Sequence, residues 1–137
     1  MIKKLAHANV ISNDLAASEH FYCEILGLKK AFEFYKNDEL FGFYIAIGDM
    51  TFIEVFVRQD PPNTERPLIH HLCLEVEDID AVIDSIRSKG WEVTDKKQGT
   101  DQSWQCWITD PDGVRLELMQ YTENSSQHTG AKCVVTW

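Results

Sequence analysis

The sequence predicts an α+β fold of two βαβββ modules, whose strands form an open, curled, mixed sheet with the helices on its outer face. Three observations predict it. A strand–helix pattern runs from His7 to Asp14 and recurs from His71 to Asp78, an offset of 71 − 7 = 64. Three strand-like runs follow the helix in each copy, and the last runs correspond through Glu54 and Glu117, an offset of 117 − 54 = 63. Four strands also alternate in the two-residue period of a sheet with one apolar face.

In module 1 (about 1–58), "HANVIS" reads as a strand and Asp14 as the cap of a helix. Phe21, Tyr22, Ile25 and Leu26 give that helix an apolar side, and Gly27 ends it. Runs at about 29–36, "FGFYIAIG" and "MTFIEVFV" are the following strands. A Pro-rich linker, 59–67, leads to module 2 (about 68–121). There Asp78 caps a helix carrying Ile79, Val82, Ile83 and Ile86, Gly90 stops it, and strands follow at 91–97, "WQCWITD" and "VRLELMQY". "DPDG" is the turn between the last two. The tail, 122–137, repeats nothing and starts polar, although "CVVTW" has packing character. The 137 residues fit one ordinary domain.

A net charge of −9 argues against nucleic acid and against anionic membrane surfaces, both of which need a basic face. No apolar run approaches the ~18 residues of a membrane span. The opening "MIKKLAHANV" lacks the apolar stretch of a secretory signal. Four cysteines, Cys23, Cys73, Cys106 and Cys133, form no CxxC motif. A cytoplasmic protein with reduced thiols is the expectation.

The alternation assigns faces. Ala6, Ala8 and Val10, then Ile53, Val55 and Val57, suit the underside of a helix, as do Leu72, Leu74 and Val76, and Val114, Leu116 and Leu118. The opposite faces carry His7, Glu54, His71 and Glu117. Singly, each of these suits a solvated or structural role. Their recurrence as His, Glu, His, Glu at matching repeat positions points instead to one divalent metal ion, since imidazole with carboxylate suits Zn, Ni, Co, Fe or Mn. Asn9, Phe52, Phe56, Cys73, Arg115 and Met119 share that face and are candidate substrate contacts, with Phe43 and Trp107 added from the intervening strands. The aromatics equally suit core filling. Arg115 could recognise an anionic group or pair with Glu75, and Cys73 suits a small packed residue better than a reactive thiol. By the same parity His71 is the ligand of its doublet, and His70 falls on the aliphatic side or near its edge.

Through "HANVISNDLAASEHFYCEILGL", "IEVFV", "HHLCLEVEDID" and "DPDGVRLELM", residues 4–121 resemble the vicinal oxygen chelate superfamily. That superfamily includes glyoxalase I, methylmalonyl-CoA epimerase, fosfomycin-resistance proteins, bleomycin-binding proteins and extradiol dioxygenases. The resemblance implies paired modules around a divalent metal and a homodimer. Its glyoxalase I members use a His/Glu/His/Glu ligand set, matched here by His7, Glu54, His71 and Glu117. The compact bacterial members imply Ni or Co more than Zn. The implied activity is that of a lyase or isomerase acting on a small substrate with vicinal oxygens through a metal-stabilised enediolate, with Glu117 or Glu54 moving the proton. Glutathione-using members tend to carry Arg and Asn where this chain has Ile11 and Arg58. The alternatives within the resemblance are an epimerase of the methylmalonyl-CoA type, an Fe(II) ring-cleaving dioxygenase and a non-catalytic small-molecule binding protein.

Overall fold

The computed structural model describes residues 5–58 and 69–133; the linker 59–67 and most of "CVVTW" lie outside them. Two compact units are present. One holds the described residues up to 58 together with Asp110–Val114, and the other holds 69–109 with 115–133.

In the first unit β1 (His7–Ser12) leads to a helix start where Asp14 Oδ1 accepts the N–H groups of Ala16 and Ala17 at 3.0 and 3.1 Å. The helix α1 (Leu15–Glu19) then widens into a π-helix over His20–Ile25. The Leu26 N–H donates to the Phe21 carbonyl, five residues back, at 3.0 Å. A regular α-helix is what the spacing predicts. The wider turn instead lets the adjacent Phe21 and Tyr22 both bury completely, with Ile25 beside them. Strands β2 (Lys29–Lys36), β3 (Glu39–Gly48) and β4 (Thr51–Val57) complete a four-stranded sheet in the order β1-β4-β3-β2. β1 runs parallel to β4, and the other pairs are antiparallel. Val10, Ile53, Val55, Phe43 and Ile45 form the core on one face.

The second unit repeats this plan. β5 (Leu72–Glu75) precedes α2 (Ile79–Ser88), where Asp78 Oδ1 accepts the Ala81 N–H at 3.0 Å. The strands β6 (Lys97–Gln98), β7 (Trp104–Thr109) and β8 (Arg115–Gln120) give the order β5-β8-β7-β6. Ile79, Ile83 and Ile86 are buried, as are Cys106, Ile108, Leu116 and Leu118. The parallel registers coincide: Asn9 lies opposite Glu54, and Cys73 opposite Glu117, the same positions in the two copies. Two mixed sheets of βαβββ connectivity agree with the expected α+β fold. No helix among the described residues is long and apolar enough to cross a membrane. The four cysteines are free thiols.

One region departs from expectation. The strand predicted over 91–97 shrinks to Lys97–Gln98. Upstream of it, separate bonds replace a ladder: the Thr94 N–H reaches the Trp107 carbonyl at 3.0 Å, and the Trp91 indole N–H the Thr109 carbonyl at 3.1 Å. The described residues of the polar tail, 122–133, have a structured stretch. It forms α3 (Ser126–Thr129), with the Ser126 N–H on the Asp101 carbonyl at 2.8 Å and the buried hydroxyls of Ser103 and Ser125 2.9 Å apart.

The "DPDG" turn is held by a buried carboxylate. Asp110 Oδ1 accepts the N–H groups of Asp112 and Val114 at 2.9 and 2.8 Å, and Oδ2 accepts the Tyr22 hydroxyl at 3.0 Å. Burial raises the Asp110 carboxyl above its ordinary range. The folded chain therefore holds this proton more tightly than the unfolded chain. Asp110's contribution is greatest below the unfolded carboxylate range and declines as pH climbs toward the folded value. Asp110→Ala, which orphans three donors, lowers stability by about 3 kcal/mol in urea melts. Asp110→Asn keeps an acceptor for the backbone, and its stability relative to wild type rises as pH climbs out of the ordinary carboxylate range.

Candidate metal centre

The exposed face of the first sheet places His7, Asn9 and Ile11 beside Phe52, Glu54 and Phe56, as the alternation predicts. His7 Nε2 stands 3.8 Å from Glu54 Oε2. The Asn9 amide donates to Glu54 Oε2 at 2.9 Å, and the Tyr44 hydroxyl lies 3.3 Å from His7 Nδ1. Partial desolvation, then the Glu54 carboxylate, raises the Tyr44 phenol above its ordinary value. Phe43, a candidate contact by sequence, is instead fully buried on the core face, because it pairs with Val55 while Tyr44 pairs with Glu54. "FGFYIAIG" is apolar at nearly every position, so its parity could not be read without the register. Phe32, Phe34, Phe41, Tyr44, Phe52 and Phe56 contact one another with centroids 4.5 to 5.3 Å apart. Gly42 is required beneath them, since a Cβ there would overlap the Phe56 ring and the Val55 carbonyl. Arg58 is engaged elsewhere, its Nε–H donating to Asn13 Oδ1 at 2.7 Å.

The second sheet builds the corresponding pair. His71 Nε2 is 3.4 Å from Oε2 of Glu117, a residue only 7% exposed. Trp107 lies opposite Glu117 and meets the His71 ring edge-on at 4.9 Å. The Arg115 guanidinium covers Trp107 at 4.5 Å, a cation–π contact. The Cys73 thiol is pushed up to about 12, by desolvation first and the Glu117 carboxylate second, which opposes thiolate reactivity. Met119 retains 9% exposure, and the Gln127 amide of the tail approaches its sulfur at 3.9 Å.

His70 departs from expectation. β5 begins at Leu72, so strand alternation does not govern the doublet. The His70 ring does not turn to the aliphatic side; it meets His71 edge to face, with the two Nδ1 atoms 2.9 Å apart. Its Nε2 lies 3.2 Å from Arg115 Nη1. An open cavity of about 930 Å³ shares Trp107 and Arg115 with this site and is also lined by Arg87, Trp91, Thr94 and Thr109. The sequence offers no signal for Trp91 and Thr94, because no period links loop 91–94 to the ligand face, and Arg87 and Thr109 reach the cavity from α2 and the end of β7.

The donor chemistry fits a divalent cation. Nitrogen and oxygen ligands about 2.1 Å from one ion stand about 3.0 to 3.4 Å apart at right-angle to tetrahedral geometry. The His71–Glu117 pair meets that separation at 3.4 Å, and the His7–Glu54 pair is wider at 3.8 Å. The structure brings together one His and one Glu in each unit; among the described residues no group of three or more potential ligands is gathered.

The family model of the glyoxalase/bleomycin resistance protein/dioxygenase superfamily matches residues 4–118. The chain belongs to this superfamily. Its relatives include the uncharacterized protein YaeR of Escherichia coli K12, 33% identical over 87% of this chain and 97% of that protein. A probable lactoylglutathione lyase of Synechocystis is 31% identical over 85% of this chain and 94% of its own length. Among solved structures, a glyoxalase family protein from Enterococcus faecalis superposes with a TM-score of 0.72 at 26% identity, covering 85% of this chain and 97% of that one. Superfamily members commonly bind a divalent metal, act mostly as enzymes and in some cases only bind small molecules.

Proposed function

We propose that this superfamily member is a divalent-metal-dependent lyase or isomerase of the glyoxalase I type, with His7, Glu54, His71 and Glu117 as the ligands of one Ni, Co or Zn ion. The observation that carries this reading is the recurrence, in each unit separately, of an imidazole Nε2 turned to a carboxylate Oε2, at 3.8 and 3.4 Å. A bound divalent ion supplies Lewis acidity toward two adjacent substrate oxygens. Glu117 takes the proton from the carbon next to the substrate carbonyl; the C–H electron pair passes to the carbonyl oxygen, giving an enediolate. Glu117 returns the proton to the neighbouring carbon, or Glu54 does so from the other half. Asn9 fixes the Glu54 carboxylate through its amide. Phe52 and Phe56 supply an apolar wall, and Arg115 and Trp107 flank His71. Ile11 and the Asn13-bound Arg58 leave the substrate a small vicinal-oxygen compound without a committed glutathione site. The working form is a cytoplasmic homodimer.

Solvent exchange tests this without knowing the substrate. Metal-loaded protein in D2O should wash deuterium into the carbon next to the carbonyl of one of three probes: glutathione hemithioacetal, acyl-CoA or sugar-derived hydroxyketone. Metal-loaded protein that exchanges none of them contradicts the reading. A binding role is the second reading, favoured by the six contacting aromatic rings; planar ligands held equally well with and without metal would support it.

A further inference from the structure

We propose that His70 is a positioning residue for His71, and that Arg115, acting through His70, sets which ring nitrogen of His71 is free. This rests on His71 being a metal ligand. Three contacts form a continuous chain: Arg115 Nη1 to His70 Nε2 at 3.2 Å, His70 Nδ1 to His71 Nδ1 at 2.9 Å, and His71 Nε2 to Glu117 Oε2 at 3.4 Å.

Hydrogen-bond chemistry gives the chain a direction. Arginine has donors and no acceptor, so His70 Nε2 accepts. With both imidazoles neutral, the His70 proton sits on Nδ1 and points at His71 Nδ1, which must accept it. The His71 proton is then on Nε2, directed at the Glu117 carboxylate. In that arrangement Nε2 has no lone pair to offer a cation.

Metal loading requires the reverse chain. The His71 proton moves to Nδ1, His70 Nδ1 accepts it, and the His70 proton moves to Nε2. Each ring keeps one proton, and no charge changes. Nε2–H of His70 would then face a donor of Arg115, so Arg115 must leave His70. It keeps its place over the Trp107 ring, 4.5 Å away, when it does. The second arrangement is the usual support for a metal-bound histidine, whose other ring N–H is held by an acceptor. His7 carries no such constraint. Its Nδ1 faces the Tyr44 hydroxyl at 3.3 Å, and a hydroxyl serves as donor or acceptor. The two halves therefore differ: the His71 half is latched by Arg115, whereas the Tyr44 hydroxyl can accept from a His7 Nδ1–H.

Long-range proton–nitrogen NMR of the histidine rings tests this in the full chain, metal-free and with one equivalent of Zn(II). Metal-free wild type should hold His71 as the Nε2–H tautomer, and zinc should convert it to Nδ1–H. Arg115→Met should populate Nδ1–H before metal is added and tighten zinc binding several-fold. His70→Asn, which offers an oxygen acceptor to His71 Nδ1–H, should do the same. His70→Phe, which offers none, should weaken zinc about tenfold. A metal-free wild type already in the Nδ1–H form overturns the proposal. So do Arg115→Met and His70→Asn variants unchanged in tautomer and in zinc affinity. The metal-free spectra read the chain by themselves, so the expected Nε2–H tautomer with no zinc binding overturns the metal reading and supports the chain.

Discussion

His71→Ala should weaken divalent-metal binding by more than about 100-fold, beyond the range caused by changing a group that only supports a ligand. The imidazole is the nitrogen donor proposed for its unit, set 3.4 Å from the carboxylate that would share the ion. Alanine also removes the ring that meets Trp107 edge-on, but His71 is only partly buried and makes that contact at the sheet surface. The fold should therefore survive, with a thermal midpoint close to wild type in the absence of metal. Titration calorimetry with Ni(II) or Zn(II) reads the loss. Equal affinity in wild type and variant would remove His71 from the ligand set.

Glu117→Gln should lower kcat by about 10²- to 10⁴-fold on whichever substrate exchanges deuterium, the range that a positioned proton-transfer group supplies. Glutamine keeps the size and a carbonyl oxygen for the metal but cannot take a proton. Glu117 is the better candidate of the two carboxylates. Glu54 Oε2 is engaged by the Asn9 amide at 2.9 Å, whereas Glu117 has the weak S–H of Cys73 opposite it. Glu54→Gln should cost less turnover. Full activity in both variants would sink the proton-transfer role, and retained metal in Glu117→Gln separates loss of chemistry from loss of the site.

The repeat made much of this readable in advance. An offset near 64 fixed which strands correspond, and the coincident registers of Asn9 with Glu54 and Cys73 with Glu117 have the same cause. Alternation worked where polar and apolar residues strictly exchange, as in "TFIEVFV". It failed where the pattern carries no parity. "FGFYIAIG" hid the exchange of Phe43 for Tyr44, and His70 lay one step before a strand that starts at Leu72. The π-helix was unreadable because its wider turn follows from burying Phe21 and Tyr22 together, a tertiary demand. The placement of Ser125 and Gln127 likewise depends on hydrogen bonds to Ser103 and Asp101, residues that no local signal connects to them.

The two His–Glu pairs are proposed to supply the ligands of one ion. Metal content of protein purified from metal-supplemented cells, measured by inductively coupled plasma mass spectrometry, tests it most directly when wild type is compared with His7→Ala, Glu54→Ala, His71→Ala and Glu117→Ala. Wild type should carry one divalent ion per chain, and every variant should lose it. Wild type without stoichiometric metal would contradict it, and so would a full complement retained in variants of either pair.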